Sequence, residues 1–285
     1  MNGRQIRVRK SVLIGYSILA TALTAADTVA PDSDGLRAHQ ISSAYQTGDT
    51  AVRVLLPDKL DASKKYRVLY VLPVVAAAQR RFGDGLRQLR DLGLHNAHDL
   101  ICVAPEFTAP PWFADHDGDP GMRDESHLLK VVLPFVEATY PAIREADGRL
   151  LIGFSKSGWG ALSLLLRHPQ TFHKAAAWDT GIRVDTGPID EADRTQRIAR
   201  IFGSRENFDE YRISRLLREK GSGLGPEARL FYYNNGGVRA EGGAQIHRLM
   251  LELGIPHRYL YEPKRPHRWD SGWIPHAVEF LVEGP

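Results

Sequence analysis

The sequence predicts an α/β fold: a mostly parallel sheet with an antiparallel N-terminal hairpin and helices on both faces. Three observations carry that prediction. Short apolar runs alternate with helical patterns from residue 66 to the C-terminus, which calls for parallel strands joined by crossover helices. The runs at 66–73 and 100–104 are almost continuously apolar, as strands covered on both faces are. Between them and the C-terminus, an apolar run at 150–154 passes through a turn of small residues directly into an apolar helix pattern.

Taken in chain order, residues 1–26 read as an export signal. Arg4, Arg7, Arg9 and Lys10 make a basic start, an apolar stretch covers 11–25, and the small residues Thr24, Ala25 and Ala26 precede Asp27. The apolar stretch is short for a membrane span, so cleavage near Ala26 and an exported product, periplasmic or extracellular, are expected; an uncleaved anchor is the rival reading. Residues 27–285 then form a single domain. Residues 31–35 are turn-rich, and alternating patterns at 38–45 and 51–56 flank Thr47-Gly48-Asp49 as a hairpin. Strands follow at 66–73, ended by Pro73, and at 100–104, with a helix over 86–92 between them. One amphipathic helix is predicted over 126–139, with Leu128, Leu129, Val132, Leu133 and Val136 on its apolar face. The helix after the small-residue turn runs to His168, before Pro169. Further strands are predicted at 175–178, 230–233 and 257–261, and helices at 207–217, 245–253 and 274–282.

A chain of 285 residues with 43% hydrophobic and 25% charged residues is globular and long enough for a sizeable core. The net charge of +3 is partly the basic N-terminus, so no nucleic-acid footprint is indicated. A lone cysteine, Cys102, cannot form an internal disulfide and reads as a buried strand residue.

The chemistry centres on Ser155. The run Gly153-Phe154-Ser155-Lys156-Ser157-Gly158 sets one serine on a tight strand-to-helix bend, where only small neighbours fit between the two elements. Ser157 departs from the usual second glycine. A Gly/Ser-rich turn that merely holds an anion at a helix start is the bland alternative. A serine hydroxyl needs a base, and in this arrangement the histidine follows the last strand. His267 meets that requirement; His257, His276, His168 and His173 sit at strand starts, in helices or at a helix end. The base in turn needs a carboxylate. Asp179 ends the strand at 175–178, and Glu241 follows the strand at 230–233, whose own end is Asn234-Asn235. Asp179 lies on the serine edge of the sheet and is taken as the acid, with Glu241 as the alternative. An oxyanion would be held by the backbone N–H of Lys156 and by one from the loop after Leu72, at Val74 or Val75. The Lys156 side chain points away from its neighbour and is a solvated or substrate-facing charge.

Other candidates are weaker. The run from Asp115 to Gly121 has the look of a calcium loop but lacks its glycine and its final glutamate, so no metal is expected there. His95 and His98 lack a third ligand and read as solvated surface. Trp112, Phe113, Trp159, Trp269 and Trp273 fall on or near the serine edge, where aromatics bind acyl or sugar groups, although core packing accounts equally for Trp159 and Trp273.

Gly153-Phe154-Ser155-Lys156-Ser157-Gly158-Trp159-Gly160-Ala161, Pro169 with Phe172, and His267-Arg268-Trp269 with Trp273 together resemble the α/β-hydrolase esterases related to esterase D, feruloyl and acetylxylan esterases and mycolyl transferases. The resemblance runs from about residue 66 to 280. It implies the α/β-hydrolase fold and ester hydrolysis through an acyl-serine, carried onto Ser155 and His267. The expected protein is an exported serine esterase that needs no cofactor and acts on a small-molecule or carbohydrate-linked ester. Neither nucleic acid nor a stable membrane association after signal cleavage is expected. Acyl transfer, peptide hydrolysis and a decayed scaffold used for binding are the alternatives.

Overall fold

The chain, described here from a computed structural model over residues 29–76, 81–180, 182, 185, 191–237, 239–262 and 264–283, is organised around one eight-stranded sheet. The predicted export segment lies outside the described residues. The strands are β1 (Leu36–Ile41), β2 (Thr50–Leu55), β3 (Arg67–Val71), β4 (Leu100–Pro105), β5 (Arg149–Phe154), β6 (Lys174–Trp178), β7 (Leu230–Asn235) and β8 (His257–Glu262). Their spatial order is β1-β2-β4-β3-β5-β6-β7-β8. β1 and β2 are antiparallel to each other, and β2 is antiparallel to β4; every later pairing is parallel. β3 to β7 are apolar on both sides because helices cover both faces. β8 is the edge strand and alternates half-buried with exposed residues, Tyr261 among the latter.

The helices are α1 (Gly85–Asp91), α2 (Leu94–Ala97), α3 (Asp124–His127), α4 (Leu133–Thr139), α5 (Ser155–Arg167), α6 (Glu191–Phe202), α7 (Arg205–Tyr211), α8 (Ile213–Lys220), α9 (Ala240–Glu252) and α10 (Ile274–Val282). One core layer packs α5 and its neighbours on Val68, Tyr70, Leu151 and Ala175. The opposite layer packs α1 and α10 on Leu69, Leu150, Ile152 and Ala176. Successive residues of each strand therefore feed opposite layers, as the pleat requires.

Two departures from the sequence reading have clear causes. The single helix predicted over 126–139 is interrupted by a π-helical turn at Leu128–Val132. Pro134 follows that turn and has no N–H to continue the ordinary ladder. The helix predicted over 207–217 is two helices that meet at Arg212, whose backbone is extended (φ −68°, ψ 121°). Tyr211 and Ile213 are both buried, and residues two apart lie on opposite sides of a straight helix, so the chain breaks to seat both. The connection between β1 and β2, from 42 to 49, is also longer than a tight hairpin.

A buried carboxylate ties three helices together at the end of α5 farthest from Ser155. Glu125 of α3 accepts from Arg167 Nε (3.0 Å) and Nη2 (3.1 Å) at the end of α5, and from the Tyr211 hydroxyl of α7 (2.7 Å). His168 Nε2 also bonds it. Burial opposes ionisation of this carboxyl, yet the bonds from His168 and Arg167 outweigh it and hold the pKa down to about 2. A lowered folded-state pKa means stability that is complete above the ordinary glutamate range and is lost as pH falls from there towards 2. Urea midpoints should therefore drop over that window, and Glu125→Gln should flatten the drop while costing about 3 kcal/mol at neutral pH.

Candidate active site

The parallel register of the central strands sets the geometry. Phe154 at the end of β5 pairs with Trp178 at the end of β6, so Ser155 and Asp179 leave the sheet side by side. Both adopt the left-handed backbone region (φ 55° and 41°), uncommon for residues with a side chain. Ser155 N–H donates to the Asp179 carbonyl (3.2 Å), and Asp179 N–H donates to the Tyr233 carbonyl at the end of β7 (3.1 Å). The bend at Ser155 is possible because Gly153 has no Cβ; one there would run into the Ser157 carbonyl. Ser157, the departure from the usual glycine, is fully buried and turned back on the strand end. Its Oγ accepts from Phe154 N–H (3.1 Å) and donates to the Phe154 carbonyl (2.9 Å). The serine thus clasps the elbow through two Phe154 backbone groups that a glycine side chain could not reach. Ser155 itself is half-buried, and its hydroxyl carries no hydrogen bond among the described residues.

His267 comes from the loop between β8 and α10. Its Nδ1 lies 2.6 Å from Asp179 Oδ2. The Asp179 side chain is 4% exposed and that of His267 22%, which leaves one imidazole edge open above a buried carboxylate. Aromatic rings hold the imidazole in place: Phe154 at 5.0 Å, Phe82 at 5.6 Å and Trp178 at 6.1 Å between centroids. Since Phe154 immediately precedes Ser155, this packing brings the imidazole over the elbow. The loop is pinned at several points. Arg265 N–H donates to Asn235 Oδ1 (2.8 Å), Trp269 N–H to the Phe82 carbonyl (2.9 Å) and Trp273 Nε1 to the Arg268 carbonyl (3.2 Å). The Arg265 guanidinium pairs with Glu262 and reaches the Ser271 carbonyl (3.0 Å).

The structure sets Ser155 beside Asp179 through the backbone and His267 against the Asp179 carboxylate, and leaves Glu241 apart. Glu241 lies in the first turn of α9, largely exposed, and bonds Arg248 (2.9 Å) and Gln245 (3.3 Å). Two further residues on Asp179 were not read from the sequence. Asn235, at the end of β7, donates from Nδ2 to Asp179 Oδ2 (3.2 Å) and to the Arg265 carbonyl (3.2 Å), so one amide joins the carboxylate to the histidine loop. Its position directly after β7, where a carboxylate was sought, was the available signal. Arg239 Nη1 stands 3.5 Å from the same oxygen, and nothing in its local sequence marks it.

Val74 and Val75 follow β3, whose register with β5 (Val71 beside Ile152) puts that loop at the serine end of the sheet. Val74 is buried and Val75 half-buried, lining a cleft of about 90 Å³ with Phe82 and Trp269. Lys156 lines a separate pocket. Phe113, Trp159, Trp269 and Trp273 are all buried, whereas Trp112 is half-buried and lines the Lys156 pocket. His95, read as surface, is instead buried on α2, with Nε2 3.9 Å from Asp58. The short helix α2, absent from the sequence reading, turns it inward. In the segment 115–121, Asp115 caps Ser126 through N–H (2.8 Å) and Oγ (2.5 Å), and Asp119 accepts from Gly121 N–H (2.8 Å). Those carboxylates serve turns.

The chain is similar in sequence and fold to known esterases. The family described as "Putative esterase" matches residues 111–198, which include the elbow and Asp179. An esterase of Mycobacterium tuberculosis (strain H37Rv) is 26% identical over 230 residues, covering 72% of this chain and 50% of the relative. The chain thus spans about half the length of the curated relatives it matches. Among solved structures, a ferulic acid esterase superposes with a TM-score of 0.68 at 17% identity, covering 87% of this chain and 97% of its own. An S-formylglutathione hydrolase from Staphylococcus aureus gives 0.67 at 15% identity, with 87% and 99% covered.

If Ser157 locks the elbow, Ser157→Ala leaves the buried Phe154 N–H and carbonyl without that partner. The expected cost is about 1–2 kcal/mol in urea unfolding, and an unchanged midpoint would show the clasp to be idle.

Proposed function

We propose that this chain, an α/β-hydrolase of the esterase kind, hydrolyses carboxylic esters with Ser155 as nucleophile, His267 as general base and Asp179 as the acid. The observation that carries the reading is the 2.6 Å contact between Asp179 Oδ2 and His267 Nδ1, beside a serine whose own N–H is bonded to the Asp179 carbonyl. Asp179 holds the Nδ1–H tautomer, which leaves Nε2 free to accept the proton of Ser155. Ser155 Oγ attacks the ester carbonyl carbon, and His267 takes the hydroxyl proton. The negative charge on the former carbonyl oxygen is met by the backbone N–H groups of Lys156 and Val75. Collapse expels the alcohol, which takes the proton from His267, and leaves an acyl-serine. Water then gives its proton to His267 and attacks the acyl carbon, releasing the acid and restoring Ser155.

Burial of Asp179 supports this assignment, because a carboxylate in a water-poor site stabilises the imidazolium more strongly than it would in water. Asn235 supplies the hydrogen bond that a buried carboxylate requires once His267 has taken one lone pair. An intact, fully connected acid–imidazole pair favours an enzyme over a decayed binding scaffold. Residues 1–26 fit an export signal, and we read the mature chain as beginning near Asp27; N-terminal sequencing of the exported protein tests that.

A fluorophosphonate probe should label the wild-type protein and fail to label Ser155→Ala. Asp179→Asn should lower kcat on a p-nitrophenyl ester by about 10⁴-fold with the thermal midpoint retained. Glu241→Gln should leave kcat unchanged. Loss of activity in Glu241→Gln, with Asp179→Asn still active, would reassign the acid.

A further inference from the structure

A pocket of about 400 Å³ opens one residue from the nucleophile, lined by Lys156, Trp112, Pro110, Met122, Asp124 and Arg200, among others. Its volume is that of a small-molecule site. Most of its polar lining is already satisfied. Asp124 Oδ2 accepts from Trp112 N–H (2.9 Å) and Oδ1 from Gln46 Nε2 (3.3 Å), with the Phe113 N–H also directed to the carboxylate. Gln46 is buried, and its Oε1 accepts from Thr108 N–H (2.9 Å) and Oγ1 (3.1 Å).

Two groups stand outside that network. The Lys156 ammonium is half-buried and makes no hydrogen bond or ion pair among the described residues. Arg200 of α6, at the rim, also has no ion pair among them, and its charge repels that of Lys156. Asp124 attracts Lys156 from a distance, but its oxygens are turned to the backbone and to Gln46. A half-buried ammonium near a second cation, whose one attracting carboxylate is committed to other donors, gains from an anion that joins the two cations. The apolar walls, with Trp112 and Ile201 among them, suit a carbon skeleton behind that anion.

We infer that this pocket is a specificity subsite for an ester that carries a carboxylate at the far end of an apolar body, bound by Lys156 with Arg200 at the rim. The inference rests on the esterase reading, because the subsite matters only as a neighbour of the acyl-transfer centre. Lys156 then has two separate parts to play: its backbone N–H serves the oxyanion, and its side chain selects the substrate.

The test compares kcat/KM for matched pairs. With the carboxylate on the acyl side, the pair is p-nitrophenyl hemiglutarate and p-nitrophenyl valerate. With it on the alcohol side, the pair is 4-carboxyphenyl butyrate and 4-methylphenyl butyrate. The readout is the anionic-to-neutral ratio, and its change on substitution, in which intrinsic differences in ester reactivity cancel. In at least one pair, Lys156→Gln should lower the ratio about 10-fold or more, Lys156→Glu should lower it further, and Lys156→Arg should retain most of it. Arg200→Gln should produce a smaller fall in the same pair. The pair that responds tells which side of the ester enters the pocket. Wild-type enzyme that cleaves the neutral esters, with ratios that stay constant across all four variants, overturns the subsite and leaves the esterase reading standing. A protein that cleaves none of the four esters and takes no fluorophosphonate label overturns both.

Discussion

One backbone hydrogen bond, from Ser155 N–H to the Asp179 carbonyl, fixes the relation on which the site depends. It extends the parallel ladder between β5 and β6 one step past the last strand pair. Beyond it the two chains diverge, one into a helix and one into a loop, each through a left-handed residue. Ser155 and Asp179 are therefore aligned by the sheet itself, whose central strands are buried on both faces. The relative position of their backbones does not depend on the rotamer of either side chain. What remains is to deliver an imidazole, and the chain does so only after nearly ninety further residues.

That delivery explains why the histidine loop is so heavily tied. A loop has little of its own to hold a ring at a fixed 2.6 Å from a carboxylate, so the constraint comes from its neighbours. Asn235 is the central link, because its one amide touches both the carboxylate and the backbone of Arg265. Phe154, Phe82 and Trp178 limit ring tilt. The tryptophans following the histidine are buried in the same layer as α10, so the loop is anchored in core.

The parts of this site legible in the sequence were those whose chemistry is local. Ser155 declares itself by the small residues that the bend needs, and His267 by its place after the last strand. Asp179 is preferred as the proposed acid for its place on the serine edge, yet Glu241 stays a rival in the sequence, since both follow strands and differ mainly in what lies beside them in space. Asp179 leaves a strand adjacent to β5, whereas Glu241 begins a helix that directs it to Arg248. Asn235 could be seen but not interpreted, because its meaning depends on a loop thirty residues away. The interruption of the helix over 126–139 was foreshadowed by Pro134, while the buried setting of His95 follows from a single helical turn too short to leave a periodic signal. Strands β2 to β8 were read within a residue or two, because apolar runs have few other uses, whereas β1 ends at Ile41, four residues before the predicted alternation does.

The arrangement of the three members across the sheet is unequal. Ser155 and Asp179 grow from interior strands, but His267 is suspended from β8, the half-wet border of the sheet, where Tyr261 projects into solvent. Borders fray before interiors when a protein is warmed or exposed to mild denaturant. On the proposed reading, the triad should then come apart before the bulk fold is lost, and a partly loosened sample can still hold a native-like centre that re-forms on cooling. Durability of the site is thus set at its margin, and reinforcing β8 is the shortest route to prolonging it.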